Sequence, residues 1–509
     1  MPIQIKTALR ASALTLAAAL AAATPAAADK ANDTLTVALD LEVESVIPYH
    51  STSRMSLISG KLLYDTLVWT DPFTGEHQPM LATEWTWVDS KTLELTLREG
   101  VTFHNGEPFD AEDAAWTLNY FSGPDGGTKG RSSVDWIDHA EIVAPNKIRL
   151  MLKAPFPAAL EFLSSPLPMF PKDYFEEVGA EKFENAPVGT GPYKAIEIVK
   201  GEQITYETNA DYFEGSPRGK PQIGKLVLRT IPDLNTQIAE LMTGGVEWAW
   251  RIGKDEAEGM RGMPGLTVVD AETMRVGYLT MNAAGTGGET PFTSKLVRQA
   301  IIHAINRQSI VDNLVPPGAR IINSACFPAQ FGCEQDVTAY EYDPEKAKAL
   351  LAEAGYPDGF EFSMDVYRDR PVAEAVAGDL AKVGIVMNIN FGKYAAVRDA
   401  LRSGDSTVAF LTWGSNSIND VSASTSNFFK GGADDTYKDE EVSAWLEEGD
   451  TTVDPEARKA AYSKALKKIA DEAYWVPLWT YPYTYAFSDE LDFTPTSDEM
   501  PHFAMTGWK

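Results

Sequence analysis

The stretch LREGVTFHNGEPFDAED, residues 97–113, contains the end of a strand, a tight turn and the start of a helix. Residues 92–97 alternate apolar and polar side chains with period two, which predicts a half-buried strand. Asn105-Gly106 is a turn signal. Asp110 and the acidic residues after it lead into an Ala-Trp-Leu pattern, so we expect a helix with negative charge at its positive end.

Strands and helices continue to alternate on both sides of this stretch. The other predicted elements are strands over 34–39, 385–389 and 409–413, and helices over 297–305, 343–355, 371–384 and 454–469. Helices that alternate with short strands indicate an α/β fold. About 480 mature residues exceed a single core, so two or three domains are expected. No linker separates two halves, so two lobes would have to be joined by more than one chain crossing.

The N-terminus has the pattern of a signal peptide. Lys6 and Arg10 precede an apolar stretch of about 13 residues, too short for a membrane span, and the segment ends in small residues at 25–28. We expect cleavage after residue 28 and export to the periplasm without a lipid anchor, since no cysteine lies near this boundary. An uncleaved N-terminal membrane anchor is the alternative.

The mature chain is strongly acidic. Without Lys6 and Arg10, 42 basic side chains remain against 73 acidic ones, a net charge of −31. This balance argues against nucleic acid and anionic lipid as partners.

Cys326 and Cys333 are the two cysteines of the chain. In an exported protein a close pair is usually a disulfide, and its short loop predicts a stabilisation of about 2–3 kcal/mol. Metal binding is the alternative, but no adjacent histidine or third cysteine completes a tetrahedral site.

Motifs for catalysis or cofactor binding are missing from the sequence. The chain has no His-Glu-x-x-His and no phosphate loop, and residues 413–417 lack the second glycine of a nucleophile elbow. Gly189-Thr190-Gly191-Pro192 is no dinucleotide fingerprint, because Pro192 removes a backbone amide and no third glycine follows. An enzyme is therefore unsupported, and we expect no cofactor and no metal.

A series of short motifs resembles a known family: the extracytoplasmic solute-binding proteins of ABC importers, family 5, which includes dipeptide-, oligopeptide- and nickel-binding members. The resemblance covers about residues 34–487, and it depends on the order and spacing of the motifs together. Besides 97–113, the motifs are YDTLV at 64–68, PMLATEW at 79–85, PVGTGPY at 187–193, NADYF at 209–213, VRQA at 297–300, AINR at 304–307 and DPEKA at 343–347.

The resemblance implies an α/β, two-lobed periplasmic binding protein fold (type II) with an extra subdomain in the first lobe. After the signal peptide at 1–28, the expected units are lobe I at 29–61, 187–274 and 480–509, the extra subdomain at 62–186, and lobe II at 275–479. Two chain crossings, near 270–282 and 476–484, would form the hinge.

The resemblance also places ligand contacts in a polar segment of lobe II. In peptide-binding relatives this segment starts with Trp, presents backbone groups to the ligand and carries an Asp for the ligand's amine. The sequence reads Asn419-Asp420-Val421 where relatives often have Asp-Pro, so either Asp420 or Asn416 could take the amine position. The candidates in this segment are Trp413, Gly414, Ser415, Asn416 and Asp420.

An arginine before the helix at 371–384 is expected to bind a ligand carboxylate, as it does in relatives that take short peptides. Arg370 fits best and Arg368 is second, since a planar guanidinium gives two parallel charge-assisted hydrogen bonds. Two surface arginines are the alternative. Tyr278 is included among the ligand-binding candidates, because Trp and Tyr are favoured on recognition surfaces.

The sequence is therefore interpreted as the substrate-binding component of an ABC importer. It would capture a peptide-like or other small zwitterionic solute in a cleft between lobes and deliver it, as a monomer, to the permease in the inner membrane. The alternatives are a non-peptide ligand in the same family, such as an opine, a metal chelate or an oligosaccharide, and a secreted hydrolase.

Overall fold

The computed structural model describes residues 30–509, apart from the side chain of Asn416, so the predicted signal peptide and its cleavage site lie outside the described residues. The strands are β1 (Thr34–Leu39), β2 (Val68–Thr70), β3 (His77–Pro79), β4 (Ala82–Asp89), β5 (Thr92–Leu97), β6 (Ile137–Ala144), β7 (Lys147–Leu152), β8 (Tyr193–Val199), β9 (Gln203–Thr208), β10 (Lys225–Thr230), β11 (Trp248–Trp250), β12 (Leu266–Ala271), β13 (Val276–Met281), β14 (Glu361–Val366), β15 (Val386–Phe391), β16 (Val408–Trp413), β17 (Trp475–Thr480), β18 (Tyr483–Ser488), β19 (Leu491–Asp492) and β20 (Gly507–Trp508). The helices are α1 (Arg54–Leu63), α2 (Ala111–Ser122), α3 (Ala159–Ser164), α4 (Lys172–Phe183), α5 (Leu234–Thr243), α6 (Lys254–Met260), α7 (Lys295–Ala304), α8 (Arg307–Leu314), α9 (Pro344–Glu353), α10 (Arg370–Ala381), α11 (Tyr394–Ser403), α12 (Ser422–Phe429), α13 (Glu440–Thr451) and α14 (Pro455–Asp471).

The first large sheet, which we call the lobe I sheet, has seven strands in the order β12-β18-β11-β1-β10-β9-β8. Its centre is parallel, since β1 pairs in parallel with both β10 and β11. The central strand β1 is apolar and buried along nearly its whole length, as expected for a strand covered on both faces. Because β18 comes from the C-terminal part of the chain, this lobe is completed only when the chain returns to it.

A separate four-stranded antiparallel sheet, β4-β5-β7-β6, is formed by the part of the chain between β1 and β8. The predicted strand at 92–97 is confirmed as β5. The predicted helix after it is α2, and Asp110 caps it by accepting hydrogen bonds from the backbone amides of Glu112 and Asp113. Asn119 on α2 donates to Ala140 O on β6 at 2.9 Å, which ties the helix to the sheet.

The lobe II sheet has five strands in the order β15-β14-β16-β13-β17. The helices predicted in this part of the chain are present as α7, α9, α10 and α14. Asp343 and Asp454 are N-caps of α9 and α14, each with proline at the start of the helix, as their sequences indicated. The strand predicted at 409–413 is the buried strand β16, and β14 pairs in parallel with β15 and β16.

The chain passes between the two large sheets twice, from β12 to β13 and from β17 to β18. The two crossings lie side by side. Thr273 Oγ1 donates to Tyr481 O at 2.5 Å, and Tyr481 N donates to Arg275 O at 2.8 Å. The lobes are therefore joined by two neighbouring segments with mutual hydrogen bonds, which is a geometry suited to a hinge. The residue boundaries given above for the lobes and subdomain remain predictions.

The predicted disulfide between Cys326 and Cys333 is confirmed, with an S–S distance of 1.97 Å and a Cα–Cα distance of 5.9 Å. Within residues 30–509, no helix combines the length and apolar character that a membrane crossing needs.

Gly189 and Gly191 have a packing role, which explains these glycines without a nucleotide site. The amide of Gly191 donates to Leu63 O at the end of α1 at 2.9 Å. A Cβ on Gly191 would lie 2.3 Å from Leu63 C and 2.5 Å from Leu62 O. Only glycine lets this segment lie directly against the helix end.

We predict that Gly191→Ala lowers the free energy of unfolding by about 3 kcal/mol or more, because the added carbon meets backbone that has no room to move. The measurement is urea denaturation at neutral pH. Gly378→Ala is the matched control: Gly378 lies within α10, and a Cβ there would meet no atom within 4 Å, so this change should be neutral or stabilising by up to about 1 kcal/mol. Equal stability of the two variants would contradict the packing role.

Candidate functional site

The carboxyl ends of parallel strands from both lobes meet at one cleft. On the lobe I side β1 is followed by Asp40 and β11 by Arg251, and on the lobe II side β14 is followed by 367–369 and β16 by Gly414. A cavity of about 170 Å³, which we call the interlobe pocket, lies beside the second crossing. It is lined by 251–254, 314–316, Arg368, Asp369, Pro371, Val372 and 481–484. Ligands of open α/β sheets bind in this position relative to the strands.

Arg368 lies in the interlobe pocket. Its Nε donates to Asp369 Oδ2 at 2.8 Å, and its guanidinium lies over the ring of Tyr481, 5.3 Å from the centroid. Tyr481 OH donates to the same carboxylate oxygen at 3.2 Å. Among the described residues, Nε is the one nitrogen of the Arg368 guanidinium that makes a hydrogen bond. Its other N–H groups are therefore available to an acceptor in the pocket.

Arg370, which the sequence favoured as the carboxylate-binding arginine, lies outside the interlobe pocket. Its side chain is 54% exposed, against 23% for Arg368, and it does not line the pocket. It is 3.8 Å from Glu374 on the next turn of α10 and lies over the ring of Phe391. The structure therefore places Arg368, and not Arg370, in the wall of the interlobe pocket.

The polar segment after β16 is held against lobe I. Trp413 Nε1 donates to Ala423 O at 3.0 Å within lobe II. Ser417 Oγ donates to Asp498 O at 2.5 Å and accepts from Arg54 Nη1 at 2.6 Å, both in lobe I. The low apolar content of this polar segment is explained by these contacts between the lobes. Ser415 is buried, and the predicted role of Asn416 lies outside the described side chains.

Asp420 is already paired inside lobe II. Its carboxylate accepts from Arg458 Nη2 at 2.9 Å and from Ser422 Oγ at 2.6 Å, and both charged side chains are buried. Burial raises the pKa of Asp420, and the attraction of Arg458 only partly opposes this. Asp420 therefore already has a counter-charge within the protein, and its contact with a ligand amine remains a prediction.

Tyr278 lies in the core of lobe II rather than on the pocket wall. It belongs to β13, is 2% exposed and stacks on Trp475 with ring centroids 3.5 Å apart. A role in ligand contact remains a prediction.

A buried carboxylate between two arginines joins the lobes beside the polar segment that follows β16. Glu499 accepts from Arg54 Nη2 at 2.7 Å and from Arg275 Nε at 2.6 Å. Arg275 also donates to Thr412 Oγ1 at 2.9 Å on β16. A Cβ at Gly414 would lie 2.3 Å from Glu499 Oε2, so a larger residue there would displace the carboxylate from its present position. No local sequence pattern signals this network, because its members lie hundreds of residues apart.

Backbone strain is concentrated around the cleft. Eight described residues other than glycine have positive φ, and five of them belong to the pocket or to the contacts between lobes. Strained backbone of this kind persists where the surroundings hold it, and it clusters at functional sites. The five residues are Arg251, Asp369, Ser415, Ser417 and Glu499, with φ of 57°, 52°, 50°, 65° and 61°.

Two of the arginines at the cleft form ion pairs, Arg368 with Asp369 and Arg251 with Asp40. Across residues 30–509, no group of three or more His, Cys, Asp or Glu side chains could hold a metal ion.

Comparison with known proteins gives a consistent result. The family described as bacterial extracellular solute-binding proteins, family 5 Middle, matches residues 76–435. The glutathione-binding protein GsiB of Salmonella paratyphi A is 28% identical over 478 residues, covering 90% of this chain and 91% of GsiB.

Solved structures of similar fold include two with bound peptides. The ABC transporter-associated periplasmic binding protein DppA from Helicobacter pylori, in complex with peptide STSA, has a TM-score of 0.83 at 26% identity and covers 93% of this chain and 98% of its own. A dipeptide binding protein from Pseudoalteromonas sp. SM9913, in complex with Met-Leu, has a TM-score of 0.83 at 24% identity and covers 94% and 100%. The two-lobed α/β fold of these proteins is the fold of this chain.

The network at Glu499 predicts a pH-dependent stability. Burial alone would raise the pKa of Glu499, but Arg275 and Arg54 outweigh it and lower this pKa from 4.5 to about 2. Because the folded pKa lies below the unfolded one, the contribution is fully present above about pH 5 and is lost as the pH falls towards 2. Glu499→Gln leaves two buried arginines without a counter-charge, so we expect a loss of about 3–5 kcal/mol at pH 7.

Urea denaturation of the parent and of Glu499→Gln between pH 7 and pH 3 measures this. The difference between the two proteins should shrink below pH 5. Glu345→Gln, a change at an exposed glutamate that pairs with Lys348, is the control and should stay close to the parent throughout. A difference that is constant with pH would contradict the assigned pKa.

Proposed function

The chain belongs to the bacterial extracellular solute-binding proteins of family 5, and from this premise we propose how it acts. It is the substrate-binding component of an ABC importer. It captures a peptide-like or other small zwitterionic solute in the interlobe pocket and delivers it to the permease. It binds the solute without converting it, acts as a monomer and is exported to the periplasm after removal of residues 1–28. Its net charge of −31 argues against nucleic acid as a partner.

The observation that carries this proposal is the position of Arg368. It follows a parallel strand of lobe II, lines a cavity shared with lobe I, and has guanidinium N–H groups directed to no described acceptor. A planar guanidinium binds a carboxylate through two parallel hydrogen bonds, so a solute carboxylate is the natural occupant.

Of the two residues that the sequence offered for the amine of a zwitterionic solute, Asp420 and Asn416, Asp420 already has a counter-charge within the protein. Asp420 is paired with Arg458, so we assign the amine to Asp369, the acidic side chain of the pocket lining. Asp369 Oδ2 accepts from Arg368 and Tyr481, and Oδ1 is left to accept from a ligand. Both charged ends of the solute would then be held at the start of α10.

The names of similar proteins favour a peptide-like solute, since one is named for glutathione and two were solved with peptides. A non-peptide ligand in the same family, such as an opine, a metal chelate or an oligosaccharide, is the alternative. A secreted hydrolase is the rival of a different class, and it would consume what it binds.

A thermal-shift panel separates these candidates. The probes are glutathione, Met-Leu, the tetrapeptide Ser-Thr-Ser-Ala, an oligosaccharide and nickel with histidine. A true ligand at about 100 times its Kd stabilises the fold by about 2.7 kcal/mol and is recovered intact. Stabilisation by the sugar or by nickel with histidine alone would transfer the proposal to that ligand class, and turnover of a probe would support the hydrolase.

Calorimetry with the stabilising solute then tests the assigned arginine. We predict that Arg368→Gln weakens binding by about 2–5 kcal/mol, because a buried solute carboxylate loses its partner. Arg370→Gln is the matched variant two residues away, and we expect it to bind within about 0.5 kcal/mol of the parent because its ion pair is exposed. Loss of binding in Arg370→Gln with normal binding in Arg368→Gln would contradict the assignment.

A further inference from the structure

We propose that Arg251 and Tyr483 of lobe I form a second anion subsite of the interlobe pocket, separate from Arg368. The solute would then carry two carboxylates and one ammonium, as a peptide with one acidic side chain does. This inference rests on the proposed function, because it needs a solute between the lobes, and it deepens that function by naming the charge class of the solute.

Arg251 is held rigidly at the end of β11. Its guanidinium lies 4.3 Å from the ring centroid of Trp250 and 4.9 Å from that of Tyr483, and Nη1 donates to Asp40 Oδ2 at 2.9 Å. Its backbone has φ of 57°, a strained conformation for a residue with a side chain. Two aromatic rings, one carboxylate and a strained backbone therefore fix where the cation lies.

Two polar groups at this place have no partner in the described chain. Arg251 Nε and Tyr483 OH are buried without a hydrogen bond, and Tyr483 is 3% exposed. Both residues line the interlobe pocket. Buried donors are normally satisfied, so two neighbouring unsatisfied ones in a cavity wall point to a ligand acceptor. An N–H of a guanidinium and a phenol O–H are both suited to a carboxylate oxygen.

The charges of the pocket favour an acidic solute. Arg251 is paired with Asp40 and Arg368 with Asp369, so the remaining net charge of +1 is that of Lys254, whose Nζ also donates to Asp312 O. A zwitterion with equal charges would leave this excess in place, whereas a solute of net charge −1 would neutralise it. The excess stands out in a chain of net charge −29, whose overall field repels anions.

The two arginines are contributed by different lobes. Arg251 directly follows β11 of the lobe I sheet, and Arg368 lies two residues after β14 of the lobe II sheet. A solute with two carboxylates would therefore contact both lobes through charge-assisted hydrogen bonds, and the arrangement would favour the closed position of the hinge. The alternative is that both arginines bind a single carboxylate, and the two arrangements respond differently to a change in the solute.

Competitive capture of matched peptides tests the second subsite. The full mature protein is incubated with an equimolar mixture of di- and tripeptides made in Glu and Gln pairs, such as Ala-Glu with Ala-Gln, and the captured peptides are quantified by mass spectrometry. We expect the parent to favour the Glu member by about tenfold or more, which is the effect of one good charge-assisted contact.

Variants then assign the preference. Arg251→Gln should reduce the Glu over Gln preference to within about threefold while capture of the Gln members is retained. Tyr483→Phe, which removes only the unpartnered hydroxyl, should reduce the Glu over Gln preference partly. This variant tests the subsite if Arg251→Gln does not fold. Arg149→Gln, a charge change on β7 far from the pocket, is the matched control and should keep the parent's preference. Melting temperatures establish that each variant is folded.

The outcomes separate the two proposals. Capture of peptides by the parent without a Glu preference, or an unchanged preference in folded Arg251→Gln and Tyr483→Phe, overturns the second subsite and leaves the proposed function standing. Equal loss of the Glu and Gln members in Arg251→Gln also overturns it, since both arginines would then bind one carboxylate. Capture of no peptide at all overturns the peptide-like solute together with the subsite.

Discussion

The buried carboxylate of Glu499, held between Arg54 and Arg275, is the interaction on which the arrangement of the lobes depends. It connects the start of α1, the first chain crossing and the C-terminal segment, and Gly414 provides the space for it. An unpaired charge at this depth would be strongly destabilising, so the three side chains are stable only together. The polar segment of lobe II is explained by the same constraint, because Ser417 bonds to Arg54 and Asp498 beside this network.

The elements with local signals were predictable from the sequence. Asp110, Asp343 and Asp454 each cap a helix where the sequence placed a cap, because capping depends only on residues within one turn. Alternation at 92–97 identified β5 for a similar reason, and the spacing of two cysteines in an exported chain identified the disulfide. The resemblance to a family supplied the two-lobed architecture, which no local pattern encodes.

Pairing of charges over long distances was not predictable. The sequence offered Asp420 or Asn416 for a ligand amine, but it did not show that Asp420 pairs with Arg458 on α14, because nothing in periodicity or spacing says which buried charges meet. Arg368 and Arg370 are two residues apart, and the left-handed backbone of Asp369 between them helps decide which one enters the pocket. Arg251 was not among the residues predicted to bind a ligand. The available signal for it was an arginine directly after the tryptophan-rich strand Trp248-Ala249-Trp250.

A solute held between arginines from both lobes would protect both lobes at once, and hydrogen exchange read by mass spectrometry measures this. Exchange is compared with and without a saturating amount of the stabilising solute. We expect slower exchange at the ends of β11 and β14 together, around Arg251 and Arg368, and along the second crossing at 480–484. Protection confined to one lobe, or found only away from these segments, would contradict it.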